Sequence, residues 1–424
     1  MKTGPSMTSR SQMAPVTDPS HHSSQMLVRL LPVFSRARNL CALAACRTSD
    51  RASRPNADGI RGRLGLGQEA LPKAAVLVAL TGALAVRCAN WWPRGMAILA
   101  TALGLLWQGA ALAEGYVERE DVRAYLDSVA SRYGFDRDWL ASVIADASHQ
   151  ESIIAAISRP AERALAWHEY RNIFITERRI AGGVQFWNAN HAALDSAAAR
   201  YNVPPHIVVA IIGVETNYGG NTGSYRVLDA LTTLGFDYPR RAEFFRGQLT
   251  EFLLLVREEG MDASALMGSY AGAMGLGQFI PSSYRTFAVD FDDDGIRDIW
   301  NNRTDAIGSV ANYFAEHRWK GAPVIAFKVD SPPANATELV DSDLKPTRTA
   351  GDLRALGIAV PAQVSDDEPA SLHRFEAADG VQYWVGLGDF YVITRYNHSR
   401  MYALAVFELA EAIRERRESS GAGT

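Results

Sequence analysis

The chain is expected to fold as a mainly α (α+β) protein, a helical body carrying a small β-containing piece. Three observations point there. Between Asp121 and Glu316 apolar residues recur at three- and four-residue spacing, in segments bounded by Gly, Pro or Asp. After Lys320 the pattern changes to alternation, and a hairpin signal follows. Helical spacing then returns over Ser399–Arg414.

The elements follow in order. Val122, Tyr125, Leu126, Val129 and Tyr133 share a helical face, and Gly134 suits the left-handed residue that ends a helix. Asp136 is expected to cap a second helix through Leu140, Val143 and Ile144. A third is expected over Gly183–Tyr201, with Val184, Trp187, Leu194 and Ala198 on one side. Pro204-Pro205 opens the helix that ends at Glu215. Further helices are expected over Ala242–Glu258 and Asp305–Glu316. Val324–Val329 alternates like a strand, and Pro332–Thr349 is loop-like. His373–Ala377 and Val381–Val385 flank Ala378-Asp379-Gly380 as a hairpin.

The first 113 residues differ from the rest. They hold 13 of 43 Lys and Arg but only 4 of 47 Asp and Glu, leaving the remainder with a net charge of −13. No basic face for nucleic acid is suggested by that balance. All three cysteines (Cys41, Cys46, Cys88) lie there too, so the globular part can form neither a disulfide nor a Cys-ligated zinc site. Residues 1–72 read as a disordered or mis-annotated extension. Residues 73–113 hold two apolar stretches, the second ending Ala111-Leu112-Ala113 before Glu114, which reads as a signal peptide with a start downstream of Met1. A membrane hairpin or a retained anchor is the alternative reading. The exported part divides, on this reading, into a helical domain (114–203), a catalytic core (204–319), a small β-containing domain (320–390) and a C-terminal segment and helix returning to the core (391–424).

Four constellations carry chemistry. The run Pro205–Val214 is apolar on nearly every face and then delivers one carboxylate, Glu215. Burial disfavours the charged form, which keeps a general acid protonated near neutral pH; the alternative is a helix-terminal carboxylate satisfied by backbone. Ser269–Tyr284 combines close-packing glycines with Gln278 and Ser269 as hydrogen-bonding groups and Tyr270, Phe279 and Tyr284 as flat faces, a mixture suited to sugar rings. A glycine-rich turn packing two helices would have the same composition. Asp290, Asp292 and Asp294 stand at positions 1, 3 and 5 of an EF-hand-like loop, with Gly295 at 6 and the Ile296 backbone oxygen at 7. Asn301 replaces the usual Glu at 12, so Asp305 either closes the site or caps the next helix. Finally, Tyr396 and Asn397 are read on a helix-entry loop facing a cleft, with helix capping by Asn397 or Ser399 as the alternative. No His-x-x-x-His pair or Gly-x-Ser-x-Gly elbow is present, so zinc hydrolysis and serine-nucleophile chemistry have no support.

These stretches together resemble the membrane-bound B type of lytic murein transglycosylases. The resemblance rests on Gly213-Val214-Glu215-Thr216, Tyr238–Phe245, Ser269–Tyr284, Ala288–Gly295, Asp305–Phe314 and Phe390–Ser399, in consistent order over roughly residues 117–415. It implies a lysozyme-like core between a helical domain and a small β domain. It further implies Glu215 as the single acid then base, and Ser269, Tyr270, Gln278, Tyr396, Asn397, Tyr402, Arg240 and Arg241 as substrate-binding residues. A structural Ca2+ held by Asp290, Asp292, Asp294, Ile296 (backbone) and Asp305 is implied as well. The implied substrate is peptidoglycan, cut at the β-1,4 bond between N-acetylmuramic acid and N-acetylglucosamine with formation of a 1,6-anhydro ring. The implied setting is the periplasm, soluble or attached to a membrane, with cell-wall synthesis or remodelling proteins as partners. Two departures stand out: the loop between Gly295 and Asp305 is about one residue longer than the family pattern, and no lipobox is placed convincingly. A goose-type lysozyme-like hydrolase, a silent peptidoglycan-binding module and a calcium-dependent adhesion protein are the competing readings.

Overall fold

The structure is a computed structural model, and it describes residues 115–158 and 165–421. The expectations for residues 1–72 and 73–113 lie outside the described residues. A short 3-10 turn at Tyr116–Glu118 leads into α1 (Glu120–Tyr133), α2 (Arg137–Ala145), α3 (Glu151–Ser158), α4 (Trp167–Phe174), α5 (Glu177–Ala189), α6 (His191–Tyr201) and α7 (Pro205–Thr216). Next come β1 (Tyr225–Arg226), α8 (Val227–Asp237), a 3-10 turn at Pro239–Arg241, α9 (Ala242–Glu259), β2 (Met267–Gly268), α10 (Pro281–Phe287) and α11 (Arg303–Glu316). The chain finishes with β3 (Ala326–Lys328), β4 (Arg348–Thr349), α12 (Ala350–Ala355), β5 (Pro369–Ala377), β6 (Gly380–Leu387), α13 (Gly388–Tyr396) and α14 (Arg400–Gly421).

Local chemistry explains the ends of these helices. Gly134 closes α1 in the left-handed region at φ 67°, its N–H bonded to the Ala130 carbonyl. Asp136 caps α2 by accepting the Trp139 N–H at 2.7 Å. The single helix expected over Gly183–Tyr201 is two helices. Asn190 breaks it at φ −124°, where its side-chain amide donates to the Phe186 carbonyl at 2.7 Å and competes with the helical ladder. Asn302, not Asp305, caps α11, accepting from Thr304 and Asp305 N–H groups. Tyr396 is not on a loop either: it is the last residue of α13, and the Ser399 hydroxyl caps α14 by accepting the Tyr402 N–H.

Two large apolar cores and one small one form. The first surrounds α7, whose Ile207–Ile212 are fully buried, and takes in α4, α11 and α14. Each such Ile or Val stabilises the fold by about 1.5–3 kcal/mol through apolar burial. The second is built on α1, α2, α8 and α9. The third lies under an antiparallel sheet of order β3-β6-β5-β4, where Leu372 and Phe327 both pair with Val385. The hairpin turns through Ala378-Asp379, since Ala377 pairs directly with Gly380. Tyr396 packs against both large cores, so the end of α13 sits at their junction.

Candidate active site

The site grows from the C-terminal end of α7. Its apolar length anchors the helix, and the last turn delivers Glu215 to a partly exposed position beside that junction. The helix stops because Asn217, Tyr218 and Gly219 all take positive φ, at 52°, 61° and 87°. Left-handed backbone is uncommon for Tyr, so the turn must be held by its surroundings. The Tyr218 hydroxyl donates to the Arg179 carbonyl at 2.8 Å, and Arg179 in turn donates to the Gly213 carbonyl. A β-carbon on Gly213 would stand 2.6 Å from the Tyr218 hydroxyl, so only glycine leaves room for that ring. Thr216 is buried, and its hydroxyl lies 3.0 Å from the Leu276 carbonyl, tying the helix end to the glycine-rich loop.

Glu215 has one strong partner. The Tyr402 hydroxyl, from α14, donates to its Oε1 at 2.6 Å. Desolvation pushes the Glu215 carboxyl up to about 7, against the pull of that hydrogen bond. Among the described residues, no other carboxylate contributes to the shift. Burial and the nearby Glu215 charge hold the Tyr402 and Tyr396 hydroxyls well above the ordinary tyrosine value, so both remain donors. The Tyr396 hydroxyl donates to the Gly277 carbonyl at 2.5 Å, and its ring is set among Phe279, Tyr313 and Phe314.

The glycine-rich loop reaches this region through a two-stranded ladder in which Tyr225 pairs with Gly268 and Arg226 with Met267. Ser269 accepts the Ala273 N–H at 3.1 Å and the Ala271 N–H at 3.3 Å, bracing the loop from within. Gln278, at φ 53°, donates to the Thr222 and Gly275 carbonyls and locks the loop to the segment after α7. Tyr270 is buried, with its hydroxyl pushed up to about 12 by desolvation. Asn397 is also buried, and its Oδ1 has no hydrogen-bond partner, which leaves an acceptor for a ligand group. Arg240 and Arg241 fall on the turn before α9, and Arg241 lays its guanidinium 4.3 Å from the centre of the Phe244 ring. Phe244 and the neighbouring Phe245, which Arg241 also covers, belong to the second core.

The acidic loop converges. One carboxylate oxygen from each of Asp290, Asp292, Asp294 and Asp305 lies within 4.8 Å of the others. Asp305 is fully buried, and its two oxygens accept the Phe291 and Asp298 N–H groups at 2.7 and 2.8 Å. Burial pushes its carboxyl up, with the Asp292 and Asp290 charges adding to the effect. Oxygen donors gathered this closely suit a hard divalent cation. Ile296 follows the turn, its N–H bonded to Asp294 and its side chain exposed.

Three features were not read from the sequence: the Tyr402 bond to Glu215, the Thr216 tie and the glycine slot for Tyr218. Tyr402 stands 187 residues from Glu215, and no local pattern links them. The slot alone left a trace, since Gly182-Gly183 in a helical stretch is costly unless a neighbour approaches closely.

The comparisons agree with this architecture. The family model described as a transglycosylase SLT domain matches residues 118–411. The chain is 42% identical over 308 residues to membrane-bound lytic murein transglycosylase B of Escherichia coli, covering 70% of this chain and 84% of that protein. Among solved structures it is similar to the catenated lytic transglycosylase SltB1 of Pseudomonas aeruginosa, with a TM-score of 0.69 and 50% identity, covering 71% of this chain and 99% of that one. It also matches the Escherichia coli lytic transglycosylase Slt35 in complex with calcium, with a TM-score of 0.65 and 41% identity over 73% of this chain and 96% of that one. The helical body, the small sheets and these likenesses together place the chain in the lytic murein transglycosylase family, with a lysozyme-like fold.

Proposed function

We propose that the chain is a peptidoglycan lytic transglycosylase in which Glu215 acts twice. The observation that carries this is one carboxyl, raised to about 7 and bonded by Tyr402, at the junction of the two large cores. Protonated Glu215 donates to the oxygen of the β-1,4 bond between N-acetylmuramic acid and N-acetylglucosamine, and that bond breaks. The 2-acetamido carbonyl of the muramoyl residue stabilises the cation developing at C1. Glu215, now ionised, takes the proton of the muramoyl C6 hydroxyl, whose oxygen bonds to C1 and closes the 1,6-anhydro ring. Protons balance, and Glu215 returns to its starting form. A value near 7 suits a group that must both give and take a proton.

The other groups would bind and orient. Ser269, Tyr270, Gln278, Tyr396 and Asn397 lie on the two segments that bracket α7, and the unpartnered Asn397 Oδ1 supports a contact to a sugar hydroxyl or amide. Tyr402 is better read as positioning Glu215 than as a sugar contact. Arg240 and Arg241 would reach the substrate farther from the reacting bond. Asp290, Asp292, Asp294, Asp305 and the Ile296 backbone oxygen would hold Ca2+, whose service is to neutralise the acidic loop and pin it to α11. The substrate places the protein in the cell envelope, periplasmic on this reading; among the described residues, no helix is long and apolar enough to cross a membrane.

Glu215→Gln keeps the shape and removes the titrating proton. Turnover of purified peptidoglycan should fall at least 1000-fold, about 4 kcal/mol in barrier, while binding of the glycan persists. A variant that still turns over within tenfold of wild type would remove Glu215 from the chemistry.

A further inference from the structure

An opening lies beside the C-terminal end of α7. It is a cavity of about 510 Å³ whose walls include Arg178, Gln185, Phe186, Asn217, Tyr218 and Arg303. Arg178, Gly182, Gln185 and Ala189 follow one another at helical spacing, so one face of α5 forms one side. The first residue of α11, Arg303, stands on the other. Between them is the left-handed turn at Asn217 and Tyr218 that immediately follows Glu215-Thr216. Along α7 Glu215 is two residues from Gly213, the glycine that receives Tyr218. At about 100° per residue the two therefore point to nearly opposite sides of the helix. The cavity is thus distinct from the Glu215–Tyr402 side while sharing its helix end.

Its charge is one-sided. Both arginines are exposed, and among the described residues neither is bonded to a carboxylate. Glu177, the acid next to Arg178, is instead paired with Arg416 at 2.5 Å. No acidic residue lines the cavity. Burial lowers the neighbouring Arg179 guanidinium, and the charge of Arg178 adds to the effect. Planar guanidinium forks match carboxylates in a bidentate manner. Asn217 and Gln185 add amide groups, and the Phe186 and Tyr218 rings, 5.7 Å apart, supply an apolar wall.

We infer that this cavity binds the carboxylate-bearing stem peptide of peptidoglycan, as a site separate from the one that cuts the glycan. The inference rests on the proposed substrate, in which muramoyl residues carry such peptides. Its size fits a short peptide, since ligand cavities typically span about 300–1,000 Å³. Carboxylates would meet Arg178 and Arg303, and alanyl methyl groups would meet the aromatic wall. Occupancy would hold a peptide-bearing strand against the protein and lower KM without altering the chemical step.

The test uses wild type, the double variant Arg178→Gln with Arg303→Gln, and a charge control, Arg132→Gln with Lys345→Gln. Titration calorimetry with the free tripeptide L-Ala-γ-D-Glu-diaminopimelate should show Kd about tenfold weaker in the first variant, as two exposed ion pairs allow, and unchanged in the control. On peptide-bearing strands the first variant should show a KM raised to a similar degree at constant kcat, with no change on strands stripped of peptide. Equal weakening in both variants would reduce the effect to net charge and overturn the inference. Inorganic phosphate binding in place of the tripeptide, or the tripeptide binding equally to all three proteins, would overturn it as well. If wild type cut neither kind of strand, the proposed reaction would fail, and the calorimetry would still decide whether the cavity takes the peptide.

Discussion

Tyr402→Phe isolates one oxygen. It removes the hydroxyl that donates to Glu215 Oε1 at 2.6 Å and leaves the buried ring in place. A hydrogen bond to a charged group contributes about 1.5–3 kcal/mol. This one favours the ionised carboxylate, pulling Glu215 down against the desolvation that raises it to about 7. At 1.36 kcal/mol per pKa unit, its loss should raise the Glu215 value by about 1–2 units. The first step needs Glu215 protonated, so kcat/KM of wild type should fall as pH rises through about 7. In the variant that fall should move to a pH about 1–2 units higher. The assay is the rate of release of soluble muropeptides from purified peptidoglycan, followed from pH 5 to 9. A Tyr402 that merely contacted sugar would raise KM and leave the alkaline fall where it was. That result, or a fall moved to lower pH, would refute the reasoning.

Other expectations follow from the same geometry. Glu215 has a folded value of about 7 against an ordinary 4.5, so its contribution is complete below about 4.5 and is lost as pH rises through 7. Glu215→Gln should therefore match wild type in stability at pH 4 and exceed it by about 3 kcal/mol at pH 8.5, seen as a melting temperature several degrees higher; equal melting at both pH values would contradict the burial argument. Asp292→Ala with Asp294→Ala should abolish any rise in melting temperature on adding Ca2+. In wild type the rise should correspond to about 2.7 kcal/mol of stabilisation when the ion stands at 100 times its Kd. If the double variant and wild type melted alike with and without the ion, the loop would not be a calcium site. Gly213→Ala would set a methyl 2.6 Å from the Tyr218 hydroxyl. It should cost about 1–3 kcal/mol by overpacking, read as a lower urea midpoint, and an unchanged midpoint would show that the ring has room to move.

Much of this was legible before any coordinates, for physical reasons that differ by element. Helix α7 declared itself because an apolar run without a polar face must be buried, and its single carboxylate then had to be unusual. The acidic loop was readable because metal-like spacing is local, and Asp305 joins it although Asn302 took over the capping role. Helix α8 was overlooked: Val227–Phe236 is buried throughout, so no amphipathic period marks it. The break at Asn190 was also missed, since a side-chain bond to a carbonyl four residues back leaves no periodic trace. Tyr402 could be proposed only as a sugar contact, because its bond to Glu215 depends on how α14 packs against α7. Long-range pairings of this kind determine the acidity of the carboxyl, and a linear pattern does not encode them.

The central claim is that one carboxyl cuts the glycan and that the substrate's own C6 hydroxyl, not water, closes the product. The measurement that tests this most directly is mass spectrometry of muropeptides released by residues 114–424 from purified peptidoglycan in H2(18)O, with Glu215→Gln alongside. The expected result is anhydromuramoyl ends carrying no heavy oxygen, formed by wild type and absent from the variant. Reducing ends bearing one atom of the heavy isotope would mean that water attacks C1. The protein would then be a hydrolase, and the double role assigned to Glu215 would be wrong.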